Sequence, residues 1–203
     1  MNHQPDLVHA ALASLTAILY VVATGMQLLR LDQRATPRGA ALWLALAAVA
    51  CHLLIAVIDI ETGSLSLGFY KVASLIFLTM GVTALAVLML RPIHMLVSVI
   101  FPLSALSVLI IAFAPATGQP MSGLHDGAVL HVLLAVIAFG VLTLATLQAA
   151  LVSLQAGRLR NHQTRGVVRM LPPLTTMEGM FYELLAAGTA LLTLAIGRAK
   201  GRN

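Results

Sequence analysis

Lys71-Val72-Ala73-Ser74-Leu75-Ile76-Phe77-Leu78-Thr79-Met80-Gly81-Val82-Thr83-Ala84-Leu85-Ala86-Val87-Leu88-Met89-Leu90-Arg91 holds nineteen residues between two charges with no carboxylate or base among them. An α-helix rises 1.5 Å per residue, so such a run matches the ~30 Å hydrocarbon core of a bilayer. The same pattern repeats in both directions. Leu7 to Leu29 and Gly39 to Ile58 precede it without a charge, and Met95 to Phe113 and Gly127 to about Leu154 follow. Ala114-Pro115-Ala116-Thr117-Gly118-Gln119-Pro120 separates the last two as a Pro/Gly-punctuated loop. A sixth run is shorter, because Glu183 interrupts it and only Leu184 to Gly197 are uncharged.

The expected fold is therefore all-α, a polytopic transmembrane helix bundle in one integral membrane domain over 1–203. It has five full spans, about 7–29, 40–58, 71–90, 95–113 and 127–154, and a marginal sixth over 180–197. Composition agrees: 60% of the 203 residues are hydrophobic and 9% charged, and mean hydropathy is +0.96. Soluble domains carry about a quarter charged residues. The lipid bilayer is thus the first partner, and disorder is excluded. A net charge of +5 would suggest nucleic acid in a soluble protein. Here the bases sit in short connections between apolar runs and report topology, so no nucleic-acid partner is expected.

Arg30, Arg34 and Arg38 join spans one and two, Arg91 follows span three, and Arg158, Arg160, Arg165 and Arg169 follow span five. All lie on one side, whereas the connections Asp59 to Gly68 and Ala114 to Asp126 hold no arginine or lysine. The positive-inside rule places the arginines in the cytoplasm and the amino terminus outside. Met1-Asn2-His3-Gln4-Pro5-Asp6 has no positive n-region, so span one reads as a retained helix rather than a cleaved signal. Arg198, Lys200 and Arg202 run against the rule if span six crosses. A re-entrant sixth span, or a shortened chain, would account for them.

Chemistry is sought among ionisable groups inside spans, which are costly there and so informative. His52 in span two and His131 in span five both lie toward the outer leaflet. Ala45, Ala48, His52 and Ala56 share one helix face, as do Ala128, His131, Ala135 and Ala138. An imidazole above a shallow alanine wall suits a flat macrocycle. Close helix packing on small residues produces the same stripe, with the histidine bonding to the next helix. His125, beside Asp126, reads as a surface residue, a helix start or a second ligand. His9, His94 and His162 fit interfacial or solvated positions.

Cys51 is the only cysteine, so redox pairs and thiolate clusters are excluded within one copy. Asp59, Glu61 and Lys71 read as a solvated salt-bridge cluster rather than a metal site. Pro172-Pro173-Leu174-Thr175-Thr176-Met177-Glu178 reads as a helix start, with Thr175 and Glu178 at capping-box spacing. Paired catalytic carboxylates, a nucleophile with its base, HExxH and a phosphate loop are missing. No enzyme activity is expected.

Several segments together resemble the cytochrome c assembly family of polytopic membrane proteins, in its HemX-like, YpjD-type branch. Cys51-His52-Leu53-Leu54 and Ser64-Leu65-Ser66-Leu67-Gly68-Phe69-Tyr70-Lys71 through Phe77 are similar to the family's second helix, outer connection and third helix. Gly127-Ala128-Val129-Leu130-His131-Val132 through Phe139-Gly140 resembles the family's LHV-type helix start, where the family has a Ser-Tyr or Ala-Tyr pair. Pro172-Pro173-Leu174 with Glu178, Met180-Phe181 and Leu191 to Gly197 resembles the approach to the next helix. The likeness runs from about Ala40 to Gly197. Each motif is short and apolar, and their order and spacing carry the weight.

The resemblance implies a bacterial inner-membrane protein that handles haem near the outer face, with histidines as axial ligands. His131 matches the outer-face ligand and His52 a within-membrane one. The family continues beyond Asn203, so the resemblance implies a chain lacking the C-terminal helices and their partner histidines. It also lacks a tryptophan-rich haem platform, since Trp43 is the only tryptophan. Six-coordinate haem takes a ligand on each face. His131 alone is half a site, completed by His125, His52 or a second membrane subunit. The alternative expectation is a small transport or scaffold subunit whose histidines only hydrogen-bond between helices.

Overall fold

A computed structural model describes residues 7–31, 38–62, 68–90, 94–113, 126–161 and 171–200. The described residues form six α-helices and no strand: α1 Leu7–Leu31, α2 Arg38–Glu61, α3 Phe69–Leu90, α4 His94–Phe113, α5 Asp126–Arg160 and α6 Leu174–Lys200. All six are long and apolar enough to cross a membrane. Large apolar side chains lie bare on the outside, Trp43 at 72% and Phe69 at 77% exposure among them. In water such a surface would aggregate, whereas in lipid it is solvated. Hydroxyls on these helices close onto their own backbone: Thr16 donates to Leu12 O, Thr79 to Leu75 O and Thr193 to Thr189 O, at 2.8 to 2.9 Å. This satisfies a polar group where no water is available.

Successive helices alternate in direction. His9 at the start of α1, Asp59 at the end of α2 and Lys71 at the start of α3 meet at one end. The last turns of α4 reach the same end, where Ile111 lies beside Asp59 and Lys71. His131 near the start of α5 meets Ala195 near the end of α6, while Gln155 and Pro172 meet at the opposite end. One end of the bundle therefore carries the Asp59 cluster, and the end of α1, the start of α2 and the end of α3 lie at the other.

Helices α1 to α4 enclose the main core, with α1 against α4 and α2, and α3 against α4. Tyr20, Ile100, Phe101, Leu96 and Val97 fill it, and Ala45 and Ala48 let α2 approach closely. The alanine stripe that leads to His52 is thus a helix contact, Ala45 and Ala48 having no exposed surface. The core continues outward through Val141 and Leu144 of α5 and Met180 and Leu184 of α6, with α5 against α3 and α6 against α5. Glycine makes both crossings possible. A Cβ on Gly140 would lie 2.7 Å from Thr79 Cβ, and one on Gly188 would lie 2.7 Å from Leu142 Cγ. Both distances are inside contact range, so the backbones meet where a side chain would stand.

Three expectations change. The sixth span is not marginal in length: α6 runs 27 residues and starts ten residues before the uncharged stretch. Glu183 lies on its exposed face and does not stop the helix. It remains the least apolar and least buried of the six. The same helix starts at Leu174, with the Met177 and Thr176 amides donating to Pro173 O at 3.2 and 3.0 Å. Pro173 is therefore the cap, and Thr175 sits inside the first turn instead of heading a capping box. Lastly, α5 spans 35 residues, about 52 Å by its rise, so it extends past the expected Leu154. Arg158 and Arg160 lie in its last turn, where the helix dipole favours positive charge.

Candidate functional site

His131 stands about one turn into α5, half-buried against α6. Its Nδ1 donates to Ala195 O at 2.8 Å. A carbonyl can only accept, so the proton is on Nδ1 and the lone pair on Nε2. The ring is held in one orientation by a backbone oxygen, the arrangement that orients a metal-binding imidazole. Of its alanine stripe, Ala138 is fully buried while Ala128 and Ala135 are half-exposed. The donor chemistry fits one axial position on a haem iron. His125 lies outside the described residues.

His52 has a different setting. It is 2% exposed, with Nδ1 3.1 Å from the Tyr20 hydroxyl and Nε2 2.9 Å from Ser74 Oγ. Tyr20 has no exposed surface and meets the imidazole edge-on, with ring centroids 5.8 Å apart. The Tyr20 hydroxyl also bonds Ser104, whose own hydroxyl donates to Phe77 O at 3.4 Å. That carbonyl sets the direction of the whole chain. Ser104 donates to Phe77, so it accepts from Tyr20; Tyr20 then accepts from His52 Nδ1–H, and His52 Nε2 accepts from Ser74.

With both nitrogens engaged, His52 has no lone pair free for iron in this arrangement. Nor does the structure bring it to His131: its partners lie on α1 and α3, and the partner of His131 on α6. Tyr20 gave a sequence signal, a phenol in the middle of an apolar span. Its pairing with His52 depends on how α1 and α2 cross, which spacing along one helix does not encode.

Asp59 also differs from expectation. Its side chain is 6% exposed, with Oδ2 3.2 Å from Lys71 Nζ and Oδ1 3.7 Å from His9 Nε2. Asp59 is buried, not solvated, while its neighbours Lys71 and His9 are part-exposed around it. Glu61, the third member expected, is exposed. No group of three or more possible metal ligands occurs among the described residues.

At the opposite end of α5, Gln148 Nε2 donates to Met177 O at 3.0 Å and Gln155 Nε2 to Pro172 O at 2.9 Å. These bonds and the one from His131 fasten α6 along α5 at three heights. Comparison with protein-family models, with curated proteins and with solved structures finds no match to the chain in any of the three.

Proposed function

We propose that this is a membrane protein of cytochrome c assembly type that binds or handles haem near the outer face of a bacterial inner membrane, with His131 as an axial ligand. The observation that carries the reading is the Nδ1–H bond from His131 to Ala195 O, which fixes the ring and leaves Nε2 as the nitrogen for a ligand bond. An iron ligand needs a lone pair there, and a fixed ring offers it without loss of orientation. Bound haem would supply the redox and ligand-exchange chemistry of its iron. The chain's own part is to hold one imidazole, orient it and present it at the end of α5 away from Arg158 and Arg160. His125 or a second membrane subunit provides the ligand on the other face of the ring. The positive-inside rule applied to the arginines supports an outside amino terminus, with His131 toward the periplasm.

Purified in mild detergent from haem-replete cells, the protein is expected to carry substoichiometric haem with a Soret band. His131→Ala abolishes the band, and His94→Ala and His162→Ala leave it unchanged. Replacement of His52 alters stability but not pigment, because that ring is already committed to Tyr20 and Ser74. Loss of the band in His125→Ala identifies the second ligand.

The bond to Ala195 also supports a second reading, a transport or scaffold subunit in which His131 only fastens α5 to α6. A colourless protein, with and without added partner subunits, would leave that reading in place of the first.

A further inference from the structure

Two polar rungs cross between α2 and α3. Asp59 and Lys71 form the first, and His52 and Ser74 the second. Along α3 the rungs are three residues apart, about 4.5 Å, and along α2 they are seven apart, about 10.5 Å. Both sets lie on the facing sides of their helices, since spacings of three and seven return to the same face. The unequal separations leave a gap, and the structure has a small pocket there. His52, Ile55, Ala56, Asp59, Lys71 and Ser74 line it, and its free volume of about 10 Å³ is close to the room of one water molecule. Polar groups are available on both sides of it, which a buried water requires.

We infer that this pocket is a water-filled proton access route from the Asp59 end of the bundle, and that the imidazole of His52 is the proton-binding site it serves. A proton arriving on the pocket water passes to Ser74 Oγ as the Ser74 hydroxyl proton passes to His52 Nε2. Serine ends with the hydroxyl it began with, water returns to neutral, and the imidazole becomes an imidazolium that still donates Nδ1–H to Tyr20. No oxidant or second substrate is involved. Past His52 the chain runs through Tyr20 and Ser104 to Phe77 O and stops, because a carbonyl has no proton to pass on. The route is therefore open at one end only: it loads a proton into the membrane interior and does not conduct one across.

The charged and titratable surroundings of His52 suit this role. From α1 come Tyr20, in contact, and His9, beside Asp59; from α2 come Cys51 and Asp59; from α3 comes Lys71. Helix α4 presents hydroxyl and apolar groups, Ser104 and Ile111 among them. Asp59 and Lys71 offset each other at the mouth, so an arriving proton meets a near-neutral gate flanked by a carboxylate. The His9 imidazole, 3.7 Å from that carboxylate, is past hydrogen-bond length and within water-bridging range. This site is separate from His131 and does not depend on haem.

Histidine side chains labelled with 15N, in protein reconstituted into phosphatidylcholine vesicles, test the inference by the rate at which the His52 Nε2 resonance moves from its unprotonated to its protonated position after the buffer is stepped from about pH 7 to about pH 4. The His52 signal is identified by its loss in His52→Gln. In the wild type this protonation should be complete within minutes while backbone amides of α1 and α4 around Tyr20 and Phe101 stay protected from deuterium exchange. Ser74→Ala removes the first link of the chain, and Ala56→Val narrows the pocket. Each should slow protonation of His52 by roughly tenfold or more, leaving it to rare openings of the bundle. The inference is overturned if the wild-type Nε2 stays unprotonated for as long as those amides stay protected, a measurement that needs no variant. Protonation that is rapid and unchanged in both variants would also overturn it, since the proton would then be reaching His52 by another path.

Discussion

Asp59 has two basic neighbours and almost no contact with solvent, so its value to the fold depends on which of them is removed. Asp59→Ala takes the carboxylate from Lys71, and because the lysine is 17% exposed the loss should fall toward the lower end of the about 3 to 5 kcal/mol that breaking a buried pair costs. Replacing both by residues of similar volume, Asp59→Leu with Lys71→Met, should cost much less, because no charge is then stranded. Unfolding in graded denaturing detergent measures both, and equal losses in the single and double variants would count against the pair. The sequence placed these two residues at the ends of neighbouring spans but read them as solvated. Helix ends mark the membrane boundary along the chain. They do not show how far the next helix covers a side chain, and here His9 of α1 closes over Asp59.

Among the helices, the crossings of α5 with α3 and α6 depend on two glycines, and substitutions there separate close packing from intrinsic helix preference. Gly140→Ala puts a methyl group 2.7 Å from Thr79 Cβ, so the helices must part, at a cost of about 1 to 3 kcal/mol. Gly188→Ala meets Leu142 in the same way. Gly179→Ala meets nothing within 4 Å and should stabilise α6 by about 0.5 to 1 kcal/mol, since alanine is the better helix former. Thermal unfolding of the three variants orders them, and a Gly179→Ala protein weaker than Gly140→Ala would reverse the assignment. The elements themselves were largely legible, because a charge-free run of about twenty residues has few other uses. The sixth was misjudged for a physical reason: counting uncharged residues treats Glu183 as an end, although a helix can keep a carboxylate on an exposed face and continue. Of the candidate site, the helix faces that carry His52 and His131 could be read from spacing. Their partners could not, since Tyr20, Ser74 and Ala195 reach them only through the packing of whole helices.

At the scale of the molecule, alternating helices with arginines at one end fix which connections share a side. A tag inserted between 114 and 125 should report the same side as one joined after Lys200, and a tag between 162 and 170 the opposite side. Protease protection in oriented vesicles reads this directly. Finding the tags at 114–125 and 162–170 on one side would remove α5 as a crossing helix and, with it, the placement of His131 near the outer surface.

The way α5 and α6 attach has a consequence for assembly. The first four helices pack closely on one another, while the last two are fastened to each other at three heights and join the common core chiefly where α5 crosses α3 at Gly140. A chain severed between Phe113 and Asp126 should therefore survive as two separately synthesised pieces. Each would insert as a hairpin set with its internal bonds complete, and the pieces would find one another in the plane of the membrane. Co-purification of the two fragments, lost when Gly140 in the smaller one is made leucine, would show that the protein is a four-helix body carrying a detachable two-helix arm.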